Sequence, residues 1–258
     1  MRAVVRAGVV GPVVLLAVLL GGCGGAEGSA PGVGRSAVTR GPSDGPSPST
    51  AAGVDGEVDP ERVFTERELK AALLPGEAFG RGARVTATDL GLFGRYGGGD
   101  WSSCAAGDDL RAEMRGFEGD SAQRTVRLGG ASEDGPVVTV QLVSLPGGRA
   151  ERYLRIRRLL NETCPDVTVD TEAAPVEEHH EARELHALGD EALSESTRRT
   201  GGDEYDGDPT YVVHVRVGGV LAVVTSGGDS DTGILLAARA AERVRVGLYG
   251  AAAGGASG

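Results

Sequence analysis

The histidines of "EEHHEARELH", His179, His180 and His186, are the residues whose type could hold a metal ion, because neutral imidazole is a common metal ligand. Their spacing opposes it. On a strand, His179 and His180 point to opposite faces, and His180 and His186 lie about 20 Å apart at roughly 3.3 Å per residue. On a helix, His179 and His186 lie about 10 Å apart at roughly 1.5 Å per residue. Neither geometry brings two of them to one ion without ligands from elsewhere. The expectation is a solvated, charged face, with no metal and no cofactor.

Two other stretches carry reactive types. "GGDEYDGDP" gathers Asp203, Glu204, Asp206 and Asp208, and oxygen-rich loops can hold calcium. The order does not match D-x-[DN]-x-[DN]-G, so an acidic turn is expected. "GGDSDTG" resembles the Gly-Asp-Ser block of some lipases and esterases. Those enzymes place the serine early and a histidine late, whereas Ser230 is late here and no histidine follows His214. A helix N-cap accounts better for Asp229, Ser230 and Asp231. G-x-S-x-G, H-E-x-x-H and P-loop motifs are absent from the sequence. Asn161-Glu162-Thr163 matches a glycosylation sequon but falls at a helix end, and is read as chance. No catalytic residue is assigned.

The three cysteines carry more information. Val9–Leu20 is an apolar run behind a short basic segment, too short for the roughly 20 residues of a stable span and suited to an export signal. It ends in Leu20-Gly21-Gly22-Cys23, which resembles the bacterial lipobox. That resemblance implies acylation of the Cys23 thiol and cleavage before it, so that Cys23 becomes a membrane anchor. An ordinary secretion signal holding a cysteine is the alternative. Two acyl chains suffice for stable attachment where one is marginal. With Cys23 acylated, Cys104 and Cys164 remain. In an oxidising compartment they form one disulfide, closing about 60 residues and stabilising the fold by roughly 4 kcal/mol on the chain-entropy model. Two free thiols are the alternative. A cysteine metal site is disfavoured because no pair has CxxC spacing.

Composition narrows the partners. The formal net charge is −11 over 258 residues, and loss of Arg2 and Arg6 with a signal makes the remainder more acidic. This disfavours nucleic acid as a partner, since phosphate binding needs a basic surface, and also disfavours purely electrostatic attachment to anionic lipid. Lys70 is the only lysine, and the Arg, Ala, Val and Gly richness is read as coding bias. From Gly24 to about Pro60 the chain is mainly Gly, Ser, Pro, Ala and Thr, too poor in large apolar residues to offset chain entropy. As a coil of about 37 residues it reaches ~30–35 Å and acts as a spacer.

The positioning elements follow. Thr65 and Glu68 form a capping box, with Phe64 and Leu69 as its hydrophobic staple, and Pro75 ends that helix. An extended segment near Ala83–Thr88 precedes the loop "GRYGGGDW". Gln123–Leu128 alternates, with Val126 and Leu128 on one face. Val137–Val143 is a buried strand with Val138, Val140 and Leu142 inward. Arg149–Glu162 has helical spacing, with Ala150, Tyr153, Leu154 and Leu160 on one side and Arg152, Arg155 and Arg158 on the other. Asp166–Asp170 is a short strand, and Val176–Leu188 fits strand or helix. Tyr211–Val217 and Val220–Thr225 form a hairpin around Gly218-Gly219. Asp231 or Thr232 caps a last helix, with Ile234, Ala238, Ala241 and Val244 inward. With hairpins and no regular βαβ alternation, the expected fold is α+β: a mainly antiparallel sheet with packed helices and one disulfide.

Taken in order, "LKAALLPGEAFGRG", a cysteine after a glycine-rich loop, a helix ending in the second cysteine, "LGDEAL", "YVVHVRVGGVLAVV" and a closing Ala/Arg-rich helix resemble the extracellular sensor domain of PknH-like bacterial receptor kinases, and the lipoproteins that carry that domain alone. The resemblance covers roughly residues 62–249. It implies an extracellular sensor fold with a cleft for an unidentified ligand, to be sought between the Tyr211–Val224 hairpin and the Trp101 loop. The kinase-linked form has two disulfides, and this sequence can form only one.

The expected organisation is a lipoprotein signal peptide at 1–22, the lipidated Cys23 with a disordered tether at 23–60, a PknH-like sensor domain at 61–249 and a disordered tail at 250–258. The expected function is a lipid-anchored extracytoplasmic ligand-binding or sensing lipoprotein without catalysis. Its partners are the membrane, through Cys23, and a small-molecule or protein ligand outside the cell. The alternatives are a secreted hydrolase with an unrecognised site, or a structural envelope protein that binds another protein.

Overall fold

Eight strands in one antiparallel sheet make the frame of the domain. The structure is a computed structural model that describes residues 58–92, 101, 103–129, 135–146, 148–171, 174–201 and 207–250, without the side chains of 91 and 92. The expected signal peptide, Cys23, nearly all of the tether, the loop at 93–100, Asp203, Glu204, Asp206 and the tail from 251 lie outside these residues.

The strands are β1 (Arg84–Leu92), β2 (Asp120–Arg127), β3 (Val137–Ser144), β4 (Asp166–Val169), β5 (Val176–Glu184), β6 (Glu191–Thr200), β7 (Thr210–Val217) and β8 (Val220–Gly227). Their spatial order is β1-β2-β3-β8-β7-β6-β5-β4. Two meanders, β1 to β3 and β4 to β8, therefore join where β3 pairs β8. The helices are α1 (Glu66–Ala72), α2 (Asp108–Arg115), α3 (Arg149–Thr163) and α4 (Ser230–Val244). α1 and α4 share an apolar cluster with one sheet face, while α3 packs on the other. The α+β architecture with one disulfide is as the sequence indicates.

Alternation explains the two faces. In β7, Val213, Val215 and Val217 enter the α1/α4 cluster, while Val212 joins the α3 cluster. β8 is apolar on both sides, with Val220, Ala222 and Val224 facing α4 and Leu221 and Val223 facing α3, as a central strand requires. The β7–β8 turn needs Gly218, at φ 58°, where a Cβ would lie 2.4 Å from the Tyr249 hydroxyl. That hydroxyl accepts from the Gly219 N–H and donates to the Val217 carbonyl.

The capping box at Thr65 and Glu68 is present, and Phe64 and Leu69 are buried in one cluster. Val176–Glu184 is a strand. Three details differ from expectation. The last helix is capped by Asp229, whose carboxylate accepts from the Asp231 and Thr232 N–H groups, and not by Asp231 or Thr232. Of its expected inward residues Ala241 and Val244 are buried and Ile234 packs against the cluster, but Ala238 is part-exposed beside α1, and Leu236, Ala237 and Ala240 are buried in addition. Helix α2 and strand β6 are additional elements, since "DDLRAEMR" and "EALSESTRRT" carry too few large apolar residues to show a period.

Candidate functional site

A buried set of acid–base groups lies under α3. One turn past Leu154, Arg157 projects from α3 into the sheet and is only 1% exposed. Its Nε donates to both Glu195 oxygens, at 3.1 and 3.0 Å. Asn161 Nδ2 donates to Glu195 Oε1 at 2.6 Å, and His214 Nε2 lies 2.7 Å from Oε2. Burial alone would raise the Glu195 carboxyl, but the charge of Arg157 and the hydrogen bonds from Arg157 and His214 outweigh it and hold the pKa at about 2. For His214 burial wins over the attraction of Glu195 and pushes the pKa down, so the ring is neutral near pH 7 and donates from Nε2. Tyr153, buried beside this group, is pushed up to about 12 by burial first.

A second buried set adjoins it. Glu178 Oε1 accepts from Arg199 Nε at 2.6 Å, and His180 Nδ1 lies 3.1 Å from Thr197 Oγ1. Trp101 closes the space between the two sets: its ring lies 4.6 Å from the Arg157 guanidinium and 4.9 Å from the His180 ring. Trp101 is itself 3% exposed, and the Cys104–Cys164 disulfide ties its segment to the end of α3. Gly107 is packed so closely there that an added Cβ would sit 3.1 Å from Cys164 Sγ.

These positions correct the expectation for the histidine stretch. His179 and His180 do point to opposite faces, but only His179 is solvated, paired with Asp166 at 2.6 Å. His180 and Glu178 are core residues, so the stretch is not a uniformly solvated face. Among the described residues no group of three or more His, Cys, Asp or Glu side chains is placed to hold a metal ion. Asn161 is 6% exposed and bonded to Arg157 and Glu195, which leaves its amide no access to a glycan. Sequence reasoning missed Arg157, Glu195 and His214. The available signal was a lone arginine beside the apolar side of α3, facing a glutamate and a histidine on strands that are otherwise apolar at those rows.

Open space lies on the other sheet face. α4 covers β7 and β8, so the rows beyond it on β5 and β6 are uncovered. Glu181, Ser196 and Tyr211 share one cross-strand row, and Arg183 and Ser194 the next. With His179, Arg198 and the start of α4 they line a polar groove of about 710 Å³. A second groove, about 820 Å³, runs between α1 and α4. Its floor is apolar, with Phe64, Ala72, Leu74 and Leu248, and its edges carry Val246, 50% exposed, together with arginines. The expected cleft between the hairpin and the Trp101 loop is not where either groove lies, because Tyr211 and Trp101 are on opposite faces of the sheet.

No helix among the described residues is long and apolar enough to cross a membrane. No family model matches the chain, and no curated protein matches it. Among solved structures it is similar to the crystal structure of the extracellular domain of PknH from Mycobacterium tuberculosis. The identity is 12% and the TM-score 0.45, over 71% of this chain and 98% of that one. A likeness at this level assigns neither a ligand nor an activity to this chain.

Proposed function

We propose that this protein is a lipid-anchored, extracytoplasmic binding module that recognises a ligand without transforming it. The observation that carries the reading is the division between sealed chemistry and open space. Glu195 and His214 are bonded to each other, and Glu195 to Arg157, at 4%, 0% and 1% exposure. A general acid or base must come within hydrogen-bond reach of a substrate atom, and this pair is held inside the core. The concave surfaces present apolar side chains, arginines and hydroxyls, which suit retention of a ligand.

Of the two grooves, the one between α1 and α4 is the better site. Water leaves an apolar floor at a gain, whereas the polar groove keeps its hydration. The anchor half of the reading rests on Leu20-Gly21-Gly22-Cys23 and on the Gly/Ser/Pro-rich residues that follow. The disulfide is consistent with an oxidising compartment.

Cell fractionation of wild type and Cys23→Ala tests the anchor. Wild type is expected in the membrane fraction, with a mobility shift under globomycin, and the variant in the soluble fraction. Equal membrane retention of both defeats the anchor. Titration with Nile red, a neutral apolar probe, tests binding: saturable fluorescence lost in Ala238→Trp supports the groove, and unchanged fluorescence overturns it.

A further inference from the structure

The α1–α4 groove differs from an ordinary apolar cleft in how its edge is charged. Arg62, Arg239 and Arg243 line it against Glu68 and Glu242, giving a locally cationic edge on a chain of net charge −11. Arg239 and Arg243 are four residues apart on α4 and so share one helix face. Both are oriented by the opposite wall. Arg239 Nη1 donates to the Ala78 carbonyl at 2.6 Å, and Arg243 Nε and Nη2 donate to the Leu73 and Ala71 carbonyls at 3.0 and 3.1 Å. The guanidinium of Arg62 lies over Phe64, 4.6 Å from the ring centre. The Glu68 carboxylate is already engaged by the Thr65 N–H and hydroxyl, which blunts its opposition to an incoming anion. Guanidinium groups retain spare N–H donors after such contacts, in a fork that fits carboxylate and phosphate.

We propose that this groove binds a free single-chain anionic amphiphile, a fatty carboxylate or alkyl phosphate, with its chain on the apolar floor and its head group at Arg62, Arg239 and Arg243. The inference rests on the binding-module reading above and names the ligand class for that site. The volume of about 820 Å³ lies within the range of sites that enclose small molecules, roughly 300–1,000 Å³. The floor alone accepts any apolar chain. The arginines choose the sign of the head group, and their carbonyl bonds place them before the ligand arrives, which lowers the ordering cost of binding.

The test uses the chain with its disulfide intact and Nile red bound in the groove. Dodecyl phosphate, dodecyltrimethylammonium and dodecyl maltoside are compared as displacers below their micelle-forming concentrations. Dodecyl phosphate is expected to displace the probe about tenfold better than the ammonium compound, and this preference is expected to shrink severalfold in Arg62→Gln/Arg239→Gln. A melting curve establishes that the double variant is folded. Arg239→Lys, which keeps the charge, is expected to retain most of the preference. Equal displacement by all three compounds overturns the anionic head group and leaves the binding module standing. Failure of Nile red itself to bind overturns both. Binding seen only after removal of residues 251–258 makes the chain's own tail the occupant and overturns the proposal. So does a concentration-dependent dimer that Val246→Arg dissociates while no amphiphile binds.

Discussion

The two faces of the sheet solve different problems with the same strands. Towards α3, the side chains of β5, β6 and β7 include Glu178, His180, Glu195 and His214, all 4% exposed or less. Towards α4, the alternate positions of β7 and β8 are Val213, Val215, Val217, Val220, Ala222 and Val224, packed on an alanine-rich helix. The buried charges lie on the closed face, while the α4 face borders both grooves and carries its charges, Glu181, Arg183 and Arg198 among them, in the open. Residue types that suggest chemistry are therefore poor guides to where a ligand can reach. Here they form a cross-braced interior: Arg157 and Asn161 from α3 fasten β6 through Glu195, and β6 fastens β7 through His214.

The closed face is most vulnerable at Glu195. Glu195→Ala leaves the Arg157 guanidinium buried without its carboxylate, and is expected to cost about 3–5 kcal/mol in urea denaturation. Unchanged stability would mean that the α3 face is not structural. Loss of the disulfide comes next. Cys104→Ser/Cys164→Ser releases the Trp101 segment and is expected to cost roughly 2–4 kcal/mol by the same measurement, with an increase in Trp101 emission wavelength as the ring meets water.

The response to acid sharpens the contrast further. In the folded state His214 lies below its ordinary 6.5, so the unfolded chain takes up that proton first. Stability therefore falls as the pH drops below 6.5. Glu195 adds to the loss below its ordinary 4.5, because the folded carboxyl stays ionised down to about 2. His214→Gln, which keeps a donor towards Glu195, is expected to give a shallower decline between pH 7 and 5 in denaturation curves. An unchanged slope would place the acid sensitivity elsewhere. On the α1 side the effects are smaller: Thr65→Ala removes the capping box of α1 and is expected to cost about 1 kcal/mol in thermal melts.

Legibility followed the same division. The capping box, the β7–β8 hairpin and the pairing of Cys104 with Cys164 rest on local chemistry or on counting, and they are visible in the chain. Strand β6 was not. Its only apolar residues are Ala192 and Leu193, and it is held by partners brought from α3 and β7. The buried face of α4 was legible at Ala241 and Val244 but not at Ala237, Ala238 and Ala240, because alanines mark little difference between the sides of a helix and packing on β8 decides it. The α1–α4 groove was illegible for a related reason. Residues near 62–78 and 238–248 meet only because the antiparallel sheet brings the two ends of the domain together. The arginines that cross it bond to backbone carbonyls, contacts that no side-chain pattern announces.

The central claim is that ligand space and buried chemistry are separate. Nile red titration of Glu195→Gln and Ala238→Trp, side by side with wild type under conditions where melting curves establish that all three are folded, tests it most directly. Glu195→Gln is expected to melt at a lower temperature and keep its probe affinity, and Ala238→Trp to keep its melting temperature and lose probe binding. Lost binding in Glu195→Gln with full binding in Ala238→Trp would contradict it.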